Sequence, residues 1–206
     1  MKKIVVGIFA IFVLISFSRC ALRQTPNSMS TFLAPNFDDY KVYRTLVLPF
    51  AGNNEQEKKQ VTKKFMEAIQ TTRRFEVVPY NKSYTRIDHQ DICKKFTISA
   101  SKLLQLAQAY NVQGIIRGRI TASSMYPNII GIKAELLSTY NGEILWAADG
   151  LFKDTDFYSL EYKDISQSVT MVSRNSFVSN ACYRIAQTLA RGRNIPVIDK
   201  TISVGD

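Results

Sequence analysis

Residues Tyr43 to Asn81 read YRTLVLPFAGNNEQEKKQVTKKFMEAIQTTRRFEVVPYN, and a change of hydrophobic period inside this stretch sets the fold class. Leu46, Val47, Leu48 and Phe50 form a nearly continuous apolar run ending at Gly52-Asn53-Asn54, the pattern of a central strand covered on both faces. Val61, Phe65, Ala68 and Ile69 then fall on one face of a helix. Asn54 stands where a cap belongs, and Glu55 and Glu57 occupy the first turn, where the helix dipole favours carboxylates. The helix is expected to end near Thr72. A second strand follows at RFEVVPY, Arg74 to Tyr80, with Pro79 marking a strand end or an edge position.

Working outward toward the C-terminus, residues 81–98 are polar and irregular. Ser99 or Ser101 opens a helix whose apolar side is Leu103, Leu104, Leu106, Ala107 and Tyr110, closing at Asn111. NVQGIIRGRITASSMYP reads as a strand in which Gly114 and Gly118 yield space to a neighbouring element. IIGIKAELLSTYNGEILWAADGLFK supplies two more strands around Asn141-Gly142, the strongest hairpin signal in the chain, so the last three strands form an antiparallel meander. DTDFYSLEYK reads as a loop. From Asp164 to about Arg191, Ile165, Val169, Val172, Val178, Ala181, Cys182, Ile185 and Leu189 mark a long amphipathic helix with a break near Asn175, and Gly192 is its stop. The expected order is β-α-β-α-β-β-β-α, an α/β fold with a mixed sheet of about five strands and helices packed on it.

The N-terminus has a different logic. Lys2 and Lys3 precede an apolar run from Ile4 to Phe17, 14 residues. That is about 21 Å of helix, short of the roughly 20 residues that span a bilayer and suited to a secretory signal. Residues 1–20 are read as a signal peptide ending at Cys20, with Ser18 fitting a lipoprotein signal and the bulky Arg19 departing from it. Three outcomes fit this segment: lipidation of Cys20, an ordinary cut after it, or retention as a short anchor. Each places the remainder outside the cytoplasm. Residues 21–42, with two prolines and no sustained period, read as a flexible tether. The domain is expected over 43–193, and 194–206 as a loose tail.

The chain has 206 residues, 27 Lys and Arg against 17 Asp and Glu, and a formal charge of +10. Loss of Lys2, Lys3 and Arg19 with the leader lowers this to +7 over a body sized for one domain. The basic residues are scattered in pairs such as Lys58-Lys59 and Lys63-Lys64, with no long run and no aromatic interleaving. Nucleic acid is therefore not the expected partner, and anionic envelope surfaces are. With Cys20 acylated, Cys93 and Cys182 remain, either as a disulfide pair or with Cys182 as a small buried hydrophobe on its helix stripe.

Four phrases in order carry a resemblance. YRTLVLPFAGNN, FEVVPYN, QAYNVQGIIRGRIT and AELLSTYNGEILWAA resemble the opening strand, second strand, helix-to-strand passage and hairpin of the TolB amino-terminal-like family, whose relatives include CsgG-, PelC- and LpoB-like bacterial envelope lipoproteins. The resemblance covers roughly Tyr43 to Phe152, and the closing helix fits it. It implies a non-catalytic lipoprotein at the periplasmic face of the envelope, anchored in the outer membrane through a lipid on Cys20. Such a protein works by protein contact or by ring assembly, so envelope proteins and a homo-oligomer are the implied partners. This chain lacks the spare pair of long alternating segments that membrane-crossing hairpins need, so a transmembrane pore is not expected.

Catalytic chemistry has little to build on. His89 is the lone histidine, and Asp88, His89, Asp91 and Cys93 form a short ligand-rich cluster better read as a solvated loop. No phosphate cradle, GxSxG elbow or paired carboxylates appear, so no enzyme, cofactor or metal is expected. Two features remain as surfaces. Trp146 with Tyr126 and Tyr140 on the preceding strands reads as cross-strand packing or a ligand platform, and Lys58, Lys59, Lys63 and Lys64 form a basic helix face, solvated or turned toward an acidic partner or lipid head groups.

Overall fold

The computed structural model describes residues 29–84, 96–158 and 173–190. The strands are β1 (Met29–Leu33), β2 (Arg44–Val47), β3 (Glu76–Pro79), β4 (Gly114–Met125), β5 (Asn128–Ser138) and β6 (Ile144–Lys153). The helices are α1 (Glu55–Thr71), α2 (Ala100–Tyr110), the single turn α3 (Thr155–Tyr158) and α4 (Arg174–Ala190). They form one mixed six-stranded sheet in the order β1-β6-β5-β4-β2-β3. β2 runs parallel to both β3 and β4, whereas β4, β5, β6 and β1 pair antiparallel. The α/β class and the β4-β5-β6 meander are as the sequence implies.

One boundary differs. The tether expected over 21–42 gives way at Met29, because Met29–Leu33 adds a sixth strand to the β6 edge in the register Met29↔Gly150 to Leu33↔Trp146. Phe37 is buried against Phe75, and the Arg74 guanidinium lies 4.2 Å above the Phe37 ring and 3.2 Å from Asp38. These residues are short and prolines flank them, so their own pattern is weak, and their structure comes from the edge they dock on. The loop expected after Lys153 contains the turn α3, and α4 is described from Arg174 onward. The expected start of that last helix at Asp164, the leader with Cys20, the cluster Asp88, His89, Asp91 and Cys93, and the tail 194–206 lie outside the described residues.

Local chemistry explains the elements. The Asn54 side chain accepts hydrogen bonds from the Gln56 and Glu57 N–H groups at 2.9 and 3.1 Å, closing the N-terminus of α1. Ser99 caps α2 in the same way, and Asn111 ends it in the left-handed region at φ 50°. At Asn141-Gly142 the chain reverses between β5 and β6, with Gly142 at φ 77°.

The helices sit on opposite faces. Val61, Phe65, Ala68 and Ile69 of α1 join the α4 stripe from Phe177 to Leu189 in one large core, which also holds Val47, Phe50, Ile116, Leu136 and Trp146. Leu103, Leu106 and Tyr110 of α2 form a smaller core with Leu46, Leu48 and Ile115 on the other face. Alternate residues of β2 thus feed both cores, as a doubly covered strand must. The chain goes from β2 through α1 to β3 over one face, then from β3 through α2 to β4 over the other.

Candidate functional site: a basic groove at the strand ends

The opposed crossovers leave a crevice where β2 and β3 end. Its volume is about 960 Å³, and it runs between α1, the Pro49–Gly52 turn after β2 and the Pro79–Lys82 segment after β3. Both turns are held in place. The Thr62 hydroxyl accepts the Phe50 N–H at 2.9 Å and donates to the Lys58 carbonyl at 2.7 Å, binding the first turn to α1. The Tyr110 hydroxyl donates to the Asn81 carbonyl at 2.5 Å and accepts the Asn81 N–H at 2.9 Å, binding the second turn to α2. Burial, more than anything else, raises the Tyr110 pKa, which keeps its proton available for that bond. Tyr80 stacks on Tyr110 with centroids 6.0 Å apart.

The groove is apolar along its floor and cationic along its rims. Lys58 pairs with Glu55 and Lys64 with Glu67, so those four charges are matched along the helix. Lys59, Lys63 and Lys82 line the groove, stand exposed and make no ion pair among the described residues. The basic helix face read from the sequence is therefore two populations: two paired lysines, Lys58 and Lys64, and two free ones joined by Lys82 from across the groove. Sequence reasoning missed Lys82 and the Pro79-Tyr80 wall, although the β-α-β order carried the signal that the two strand ends would meet.

The other expected surface does not assemble. Trp146 is fully buried, and its Nε1 donates to Thr188 Oγ1 at 3.1 Å, so it is a core residue. Tyr126 and Tyr140 are 88% and 91% exposed and lie in turns at opposite ends of β5, not on strands beside Trp146. The ligand platform is ruled out by that separation, and cross-strand packing holds for Trp146 alone. Gly114 and Gly118 are close-packing glycines: a Cβ at Gly118 would stand 2.3 Å from the Phe50 ring, and one at Gly114 2.8 Å from Leu136. Cys182 is free and buried on the α4 stripe, as a small hydrophobe.

On the α2 face, outside the small core, lies a charged layer. Arg117 Nε and Nη2 donate to Glu135 Oε2 at 3.0 and 2.7 Å, and Lys133 stands 3.4 Å from Oε1. Arg117, Arg119 and Lys133 surround the Phe96 ring at 4.6, 4.9 and 5.3 Å. This layer reads as structural, with an ion pair and an aromatic ring taking the place of an apolar core.

No family model and no curated protein matches the sequence. Solved structures do share its shape. A PelC dodecamer from Paraburkholderia phytofirmans superposes with a TM-score of 0.51 at 13% identity, covering 80% of this chain and 97% of that one. The lipoprotein GNA1162 from Neisseria meningitidis gives 0.46 at 16% identity, over 71% of this chain and 98% of that one. The LpoB C-terminal domain from Salmonella enterica gives 0.41 at 18% identity, over 53% and 82%. At 13% identity the likeness to PelC is one of fold, shared over 80% of this chain.

Proposed function

We infer that this chain is a non-catalytic lipoprotein of the bacterial envelope, acting through protein contacts as an assembly, export or regulatory component. The observation that supports it most is the fold shared with PelC along 80% of the chain. The leader with Cys20 points to the same compartment, with a lipid on Cys20 holding the domain at the periplasmic face of the outer membrane. Labelling with a clickable fatty acid tests the anchor. Label lost in Cys20→Ala is the expected result, and unchanged label removes the anchor from the reading. Crosslinking in intact membranes, followed by co-purification, tests the contacts, and a chain that captures no envelope protein contradicts them.

A second reading is a ring-forming subunit of a secretion or polysaccharide-export apparatus. The solved PelC is a dodecamer, and among the described residues β1 and β3 are the two edge strands of the sheet. Native mass of the delipidated protein separates the two: a monomer favours an adaptor, a multiple near twelve a ring.

A further inference from the structure

In open α/β sheets ligands settle outside the carboxyl ends of the parallel strands. β2 and β3 are adjacent and parallel, α1 follows β2 on one face and α2 follows β3 on the other, and the groove lies at their ends.

We propose that this groove captures an extended, acidic and partly apolar polypeptide segment of a partner, an assignment that rests on the protein-contact reading above. Shape comes first. The α1 wall runs from Glu55 to Gln70, about 22 Å of helix, which an extended chain of about seven residues would span. Charge comes next. Lys59 and Lys63 are one helical turn apart, with Cβ atoms separated by about 6 Å. Carboxylates two residues apart on one side of an extended chain are separated by about 6.8 Å, a close match. Lys82 meets the segment from the opposite rim, and Met66, Pro79 and Tyr80 offer apolar surface to the side chains between the acids.

Backbone addition to the β3 edge is disfavoured. The Glu76 N–H bonds to the Tyr43 carbonyl at 2.8 Å, so Val77 and Pro79 are the residues whose main chain faces outward, and Pro79 has no N–H. Recognition is left to side chains, and to lysines above all.

A fluorescein-labelled octapeptide of alternating glutamate and valine, titrated against the full chain in detergent, is the test. Anisotropy should rise, the affinity should fall as salt is added, and the glutamine-valine version should bind about tenfold more weakly. The double variant Lys59→Glu, Lys63→Glu should weaken binding by about tenfold or more, while Lys153→Glu, outside the groove, should leave it unchanged. Both variants should melt as the parent does. Absence of binding, or binding that ignores the double reversal, overturns the proposal. So does displacement of the peptide by phosphatidylglycerol vesicles at matched charge, which would make the groove a lipid site. If membrane crosslinking captures the same envelope proteins with and without the double reversal, the groove assignment fails and the protein-contact reading stands. If the peptide binds as described and no partner is captured, the protein-contact reading fails and the groove assignment falls with it.

Discussion

On the α1/α4 face the sheet buries Trp146, Phe50, Phe65, Phe152 and Phe177 in one continuous apolar core. On the α2 face a smaller core under the helix passes into Arg117, Glu135, Lys133 and Arg119 around Phe96. The two faces belong to the same strands, so the difference is one of cover. Among the described residues, two long helices span the first face, whereas the second is covered by the 11 residues of α2. Apolar area removed from water stabilises the first side in proportion to its extent. The second holds charges whose attraction must offset their own desolvation, which makes a matched pair tolerable and a broken one costly.

Breaking each face in turn should expose this contrast. Trp146→Ala removes the largest buried side chain and its bond to Thr188 Oγ1, and should lower unfolding free energy by about 3–5 kcal/mol in urea titration. Glu135→Ala should cost a similar about 3–5 kcal/mol, because it leaves the buried Arg117 without its partner. The informative companion is the double variant Arg117→Met, Glu135→Leu, which should return to the parent's stability or exceed it. A double variant as unstable as Glu135→Ala alone would show that the charged layer holds its face together by more than its pairing.

Gly118→Ala probes how tightly β4 packs on the β2 turn. With Phe50 ring atoms 2.3 to 2.7 Å from the new Cβ, a loss of about 1–3 kcal/mol is expected, and Phe50→Leu in the same chain should recover part of it. Smallest is the effect of Cys182. Burial pushes its thiol from 9.0 up to about 12, so the native state keeps the proton while the unfolded chain releases it near 9. The stability this contributes is complete below pH 9 and lost as pH rises toward 12. The difference between the parent and Cys182→Ala should therefore shrink by about 1 kcal/mol from pH 9 to 10, seen by paired urea titrations. Alkylation of Cys182 in the folded protein should stay negligible at pH 8, read by mass mapping of its peptide.

How far the sequence carries can be followed residue by residue. β2, α1, α2 and the Asn141-Gly142 hairpin were legible because each states its own period, cap or turn within a few residues. β1 was not, since the three central residues of Met29–Leu33 are exposed, with no alternation to display, and its partner, β6, is more than a hundred positions away. Half of the groove was legible in the same sense: Lys58, Lys59, Lys63 and Lys64 announce a basic helix face. That Glu55 and Glu67 neutralise two of them, and that Lys82 joins the other two, depends on rotamers and on a strand end brought in by the sheet.

By itself the sequence determined what is local: the α/β alternation, the helix stripes and the caps. Hydrogen bonds and hydrophobic periods of that kind are satisfied within one or two turns of chain, so they are written where they act. The tertiary structure alone decided which edge Met29–Leu33 would extend, that Arg117 and Glu135 would share a buried layer while Tyr126 and Tyr140 parted, and that two strand ends would frame a basic groove. Those outcomes turn on pairing and burial between residues far apart in the chain, where no local pattern records the partner.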